Sequence, residues 1–279
     1  MMRLSISNLA WPKRMGDLVA PRLKAIGIDG VELAPTAIWP KAPHVPTEQV
    51  RRYADNLRAH GLAISGIQSL LYGHPEMQVF RRKSWPNMHR HLTGMIRLAH
   101  HLNTKIVVFG SPKNRVRGSL SDDEANEACA EFLSGLLPTL AECDVVLTLE
   151  PNAPAYGTDY LTRYVEAVAL SDLIASPWIK PQIDTGCMGM VGESADQAIS
   201  SRLPAHIHIS MHNLLPPPGS INHQAIGQSL AKNHYDGWVV LEMLQASTQP
   251  LTTAVHSAKW FTTTYGSLQS HHSGPRQSH

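Results

Sequence analysis

Cysteine is scarce and poorly spaced for bridging. The three present, Cys129, Cys143 and Cys187, make an odd number without C-x-x-C or zinc-finger spacing; they describe reduced thiols rather than a disulfide framework and fit a reducing cytoplasm. Charge of one sign is lacking too. With 24 Lys and Arg against 22 Asp and Glu the formal net charge is +2, which supplies no broad field for nucleic acid or an acidic membrane surface. No apolar run approaches the roughly 18 residues of a membrane span. The start, Met1 to Trp11, reads as a strand interrupted by Ser5, Ser7 and Asn8 rather than as an export signal or anchor. No GxGxxG or Walker-like spacing surrounds Gly27 or Gly61, which read as helix terminators.

What is present is core-forming material: 43% hydrophobic and 16% charged residues in a chain of 279. That length suits one (β/α)₈ barrel. Short apolar runs alternate with helical patterns through eight rounds, the order expected of a parallel sheet covered by helices. The strands are read near 3–8, 30–33, 63–68, 105–109, 145–149, 179–183, 206–209 and 238–241. Met88, Leu92, Met95, Ile96 and Leu98 mark a helix over 85–102, and Thr47 reads as the cap of an earlier one. A further helix begins near Ser121, followed by Asp122, Asp123 and Glu124, which suit the positive end of a helix dipole. The fold is thus expected to be a single-domain α/β TIM barrel over 1–265, with 266–279 an aperiodic tail.

Four polar residues stand at or near the C-terminal ends of four successive strands: Glu150, Asp184, His208 and Glu242. Barrel strands deliver such residues into the mouth of the fold, so they converge although distant in sequence. A single acid after an apolar strand is usually a cap or turn former. Three carboxylates converging together, however, need a cation, protons or several hydrogen bonds to offset desolvation. Three oxygen donors and one nitrogen suit one divalent ion in an open site, Mn²⁺ first, with Co²⁺, Mg²⁺ or Zn²⁺ also compatible.

With Glu150-Pro-Asn, Ile183-Asp-Thr-Gly, His206-Ile-His-Ile, Pro216-Pro-Pro-Gly219 and Tyr235-Asp-Gly-Trp-Val-Val-Leu-Glu242, the chain resembles the xylose isomerase-like TIM-barrel superfamily, in its sugar isomerase/epimerase branch with ketose 3-epimerases and hydroxypyruvate isomerase. The resemblance implies that Glu150, Asp184, His208 and Glu242 hold the metal and that Glu150 and Glu242, on opposite faces of a sugar-like substrate, exchange protons with it. In that chemistry a hydroxy ketone loses the proton beside its carbonyl, and the enediolate is reprotonated from another direction. An inosose dehydratase-like lyase and a non-catalytic metal- and ligand-binding barrel are the alternatives. Homo-oligomerisation is implied as well, with no interface marked in the sequence.

Two positions depart from the ketose 3-epimerase pattern. Cys187 stands where a histidine is usual, and Leu214 where an arginine is frequent. Both leave the metal set intact and put the substrate in question. Further substrate contacts are sought at His212 and Asn213 after the seventh strand, at Lys113 and Arg115 after the fourth, and at Glu32 and Gln68 at the ends of the second and third. Cys187 is included with them. Internal hydrogen bonding explains Glu32 and Gln68 equally well, and a solvated loop explains Lys113 and Arg115. His206 reads as a satisfied core histidine supporting His208. Trp11, Trp39 and Tyr72 are candidates for an apolar wall against a sugar, or for ordinary loop packing.

Overall fold

The structure, a computed structural model, describes residues 2–267. Eight parallel strands close on themselves in sequence order: β1 Arg3–Ser7, β2 Gly30–Leu33, β3 Ala63–Ile67, β4 Ile106–Phe109, β5 Val146–Leu149, β6 Ile179–Asp184, β7 His206–Ser210 and β8 Trp238–Glu242. Closure is made by β1 against β8, where Ser5 pairs with Val240. The strands are rich in Val, Ile and Leu because both faces are covered. Side chains such as Ile6, Leu33, Phe109, Leu147 and Ile207 are wholly buried. The expected barrel is therefore present. The expected tail lies, from residue 268, outside the described residues.

The helices owe their place to apolar stripes. In Trp85–His101, Met88, Leu92, Met95, Ile96 and Ala99 are almost wholly buried at helical spacing. Burying each large one contributes roughly 1.5–3 kcal/mol relative to exposure. The helix Asp122–Ser134 opens on a capping box between Ser121 and Glu124. One capping expectation fails: Thr47 is the first residue of the helix Thr47–Ala59, its N-cap is Pro46, and no side chain caps it. Gly27 and Gly61 follow helix ends with φ of 89° and 74°, the left-handed position that a side chain would disfavour. No helix among the described residues is long and apolar enough to cross a membrane.

The barrel interior is unusually polar. Glu32 on β2 bonds His206 and His208 on β7, two strands that are not neighbours, so these side chains cross the centre. Ser5 and Ser65 meet at 2.7 Å, and Gln68 donates to Ser7 Oγ at 2.7 Å. Register then levels the upper residues, since Asp184 lies beside His208 and Ser210 beside Glu242.

Candidate metal and substrate site

At the C-terminal mouth, Glu150, Asp184, His208 and Glu242 each present a donor atom, and the four atoms lie within 4.8 Å of one another. Three of the four are held from behind. Glu150 accepts from Gln182 Nε2 at 2.9 Å and from Asn152 Nδ2 at 3.2 Å. Arg115 fixes the orientation of that asparagine: its Nη2 donates to Asn152 Oδ1 at 2.7 Å and to the Glu150 carbonyl at 2.8 Å, which turns the amide nitrogen toward the carboxylate. Asp184 accepts from the Cys187 N–H at 2.6 Å, and the Ser210 hydroxyl lies 2.8 Å from each of its oxygens.

His208 supplies the test of whether a cation fits. Its Nε2 is 2.7 Å from Glu32 Oε2, so Nε2–H donates to that carboxylate and the Nδ1 lone pair is left for the mouth. Nδ1 lies 2.6 Å from Glu150 Oε1 and 3.2 Å from Glu242 Oε2. It is buried and still makes no hydrogen bond, because the angles are wrong for one. A lone pair and two carboxylates aimed at one point repel unless positive charge sits there, either a cation or a second ring proton, which Glu32, Glu242 and Glu150 favour against burial by raising the His208 proton affinity well above its usual value. The donor set therefore fits a divalent cation.

The second His/Glu cluster does not invite one. Glu32, His206 and His208 also lie close together, but each imidazole Nε2 is already 2.7 Å from a Glu32 oxygen, and all three side chains are fully buried. This is a hydrogen-bonded support. Burial would push the Glu32 carboxyl up, yet the charges and hydrogen bonds of His208 and His206 outweigh it and bring it down to about 2. Gly66 makes room, since a Cβ there would approach Glu32 Oε1 to 2.8 Å.

The two outer glutamates differ. Burial raises Glu150, but His208 and the hydrogen bonds win and its proton affinity is lowered. Glu242 has no hydrogen-bond partner beyond its contact with His208, and burial, aided by Glu150 and Asp184, pushes it up to about 7. Burial and the Glu150 charge also raise Asp184. Since the fold holds the Glu242 proton more tightly than the unfolded chain, the stability linked to it is complete below about 4.5 and lost as pH rises through about 7. The Tm of the metal-free protein should therefore fall between pH 5 and pH 8, and saturating Mn²⁺ should remove the fall. Scanning calorimetry across that range checks this; a metal-free Tm that rises with pH contradicts it.

Gly110, just past β4, faces Glu150: a Cβ built there would collide with Oε2. Gly110→Ala should displace the carboxylate and weaken cation binding roughly 10–100-fold, as loss of an orienting contact does. Competition against a chelator measures it, and unchanged affinity would show that Glu150 has room elsewhere.

Several sought substrate contacts are placed differently. Arg115 is fully buried, its Nη2 on the Glu150 carbonyl and Asn152, and its neighbour Asn114 bonds the carbonyls of His74 and Met77. Lys113 lies over Gly157. Glu32 and Gln68 belong to the internal network, facing imidazoles and Ser7 rather than the mouth. Cys187 is buried beside Asp184, with Sγ 3.9 Å from Asn152 Nδ2, and burial raises its thiol far from the nucleophilic range. His212 and Asn213 are exposed at the mouth, and the Asn213 N–H donates to the Tyr156 hydroxyl at 2.9 Å. Trp11 and Trp39 line a separate cavity of about 410 Å³ with Tyr53, and Tyr72 is solvent-exposed.

Asn152, Gln182, Ser210 and Tyr156 were missed in the sequence. The first three stand two residues from a ligand, the spacing that shares a face in a strand, so a search at period two would have found them.

A family model described as xylose isomerase-like TIM barrel matches residues 21–264. D-psicose 3-epimerase of Enterocloster bolteae is 35% identical over 114 residues, a stretch that takes in 39% of this chain and 37% of that enzyme's length. Among solved structures, an L-ribulose 3-epimerase superposes with TM-score 0.79 at 16% identity, covering 100% of both chains. The apo 3-keto-D-glucoside 4-epimerase of E. coli superposes with TM-score 0.76 at 17% identity, covering 94% of this chain and 100% of its own. Likeness at this identity is likeness of fold.

Proposed function

The chain belongs to the xylose isomerase-like TIM-barrel family, and from that premise we propose that it is a divalent-metal-dependent isomerase or epimerase of a ketose or related small hydroxy-carbonyl compound. The observation that carries the reading is the unbonded His208 Nδ1, aimed with Glu150 and Glu242 at one point. Glu150, Asp184, His208 and Glu242 would hold the ion, Mn²⁺ or a similar Co²⁺, Mg²⁺ or Zn²⁺. When bound, such an ion supplies charge that stabilises a developing oxyanion.

The chain's own residues supply the proton transfers. Glu150, fixed by Gln182 and Asn152 and kept ionised by its lowered proton affinity, is placed to take the proton beside a carbonyl. Glu242, raised and free of other partners, is suited to return one near neutral pH. Cys187 beside Asp184 and the exposed His212 and Asn213 after β7 are the substrate contacts this reading proposes, and three buried free thiols are in keeping with a reducing cytoplasm.

The test is hydrogen exchange in D₂O with chelator-stripped and Mn²⁺-restored protein over ketoses, ketose phosphates, inososes and hydroxypyruvate. Carbon-bound deuterium should appear only with metal, in a product of unchanged connectivity mass. Loss of water in the product would instead assign a dehydratase, and metal binding without exchange across the panel would count against enzymatic function.

A further inference from the structure

Two consecutive residues in the loop after β7, Asn213 and Leu214, have φ of 58° and 53°. This left-handed region brings Cβ against the following carbonyl, and glycine enters it freely where leucine does not. Gly219, farther along the same loop, takes such a position without cost. The leucine is thus held against its preference, and the holders are visible. The Asn213 N–H donates to Tyr156 Oη on the loop after β5 at 2.9 Å, and the Leu214 carbonyl accepts from the Leu244 N–H at 2.9 Å. Leu244 lies two residues beyond Glu242. Backbone held in strain by its surroundings concentrates at functional sites.

The result places three leucines on the two loops that follow β7 and β8, the strands that carry His208 and Glu242, with the loops joined through the backbone of Leu214 and Leu244. Leu215 and Leu244 are 59% and 49% exposed, and Leu214, half-buried, precedes the one and is bonded through its carbonyl to the other. The polar groups that support the ligands are already committed: Asn152 and Gln182 to Glu150, Ser210 to Asp184. Arg115 is wholly buried, with Nη2 committed to the Glu150 carbonyl and Asn152 Oδ1. A hydroxyl or phosphate resting on the leucines would lose water and gain no partner, whereas an apolar group would gain by burial.

We infer that the substrate carries an apolar substituent, a methyl, alkyl or aryl group in place of a hydroxyl or phosphate, at the end that lies against Leu214, Leu215 and Leu244. This rests on the isomerase reading and names the substrate class of the same site. Leu214 is then a specificity-determining residue, kept in strain for its side chain.

The experiment titrates Mn²⁺-loaded protein by calorimetry with D-fructose, D-tagatose and their 1-deoxy and 6-deoxy counterparts, and follows exchange of each in D₂O. At least one deoxy sugar should bind about tenfold more tightly than its parent, in the range one apolar group commands. Leu214→Gly and Leu244→Asn should each bring that ratio to within about twofold, and Leu214→Gly should do so without lowering Tm, because glycine relieves the backbone. Parents that bind as well as both deoxy forms overturn the inference, as does a preference that survives both variants. A dimer that the leucine substitutions dissociate with the ratio unchanged also overturns it, because the leucines would then be covered by a second copy. Exchange that favours the parents removes the inference and keeps the isomerase reading; leucine-dependent binding of deoxy sugars with no exchange does the reverse. Absence of binding by all six removes the inference and leaves the isomerase reading to the wider panel of phosphates, inososes and hydroxypyruvate.

Discussion

Glu242→Gln should reduce metal-dependent hydrogen exchange by roughly 10²–10⁴-fold, the range associated with a positioned acid or base, while leaving the fold intact. Glu242 has no hydrogen-bond partner to lose beyond its contact with His208, and its raised proton affinity shows that its ionised form is costly without a cation. The same substitution should therefore flatten the pH dependence of the metal-free Tm. Glu150→Gln should abolish exchange to a similar degree for a compound reason. Two amide N–H groups, from Gln182 and Asn152, point at its two oxygens, and a glutamine amide would turn an N–H against one of them. Weakened metal affinity and a lower Tm should accompany the loss at 150 but not the same fall in Tm at 242. Exchange within about threefold of wild type in either variant would exclude that residue as a proton-transfer group. Deuterium incorporation by NMR, paired with calorimetry, reads both effects.

Glu32→Gln should weaken cation binding roughly 10–100-fold although Glu32 is not among the four proposed ligands, the cost typical of removing a group that orients a ligating histidine. The carboxylate accepts from both His206 and His208 at 2.7 Å. A glutamine can accept from one and must set its own N–H against the other. If His208 loses, its proton can move to Nδ1, which removes the lone pair offered to the cation. Chelator competition gives the affinity and its stoichiometry: one weaker site supports the positioning role, and unchanged affinity limits Glu32 to packing.

The barrel and the convergence of Glu150, Asp184, His208 and Glu242 were legible because both rest on strong local patterns. Eight apolar runs separated by helical stretches admit few arrangements, and an acid or histidine at the end of four consecutive strands has one place to converge. Arg115 was not legible. A run of Lys113, Asn114 and Arg115 after a strand looks like a solvated or anion-binding loop, and only the fold shows the guanidinium turned inward onto the Glu150 carbonyl. Glu32 and Gln68 were ambiguous because contacts across a barrel join strands far apart in sequence; the partners of Glu32 lie 174 and 176 residues away. Thr47 misled because a threonine before a helical stretch resembles a cap, yet Pro46 precedes it and the helix begins on the threonine itself. The pinned turn at Asn213 and Leu214 was half legible, since asparagine enters a left-handed backbone readily whereas leucine does not announce one.

The most direct measurement is anomalous diffraction from crystals of the protein loaded with Mn²⁺. The account predicts one peak, bound by Glu150, Asp184, Glu242 and the Nδ1 atom of His208, with Nε2 of His208 still bonded to Glu32. A peak between Glu32, His206 and His208, or no peak at the barrel mouth in folded and metal-saturated protein, would contradict it.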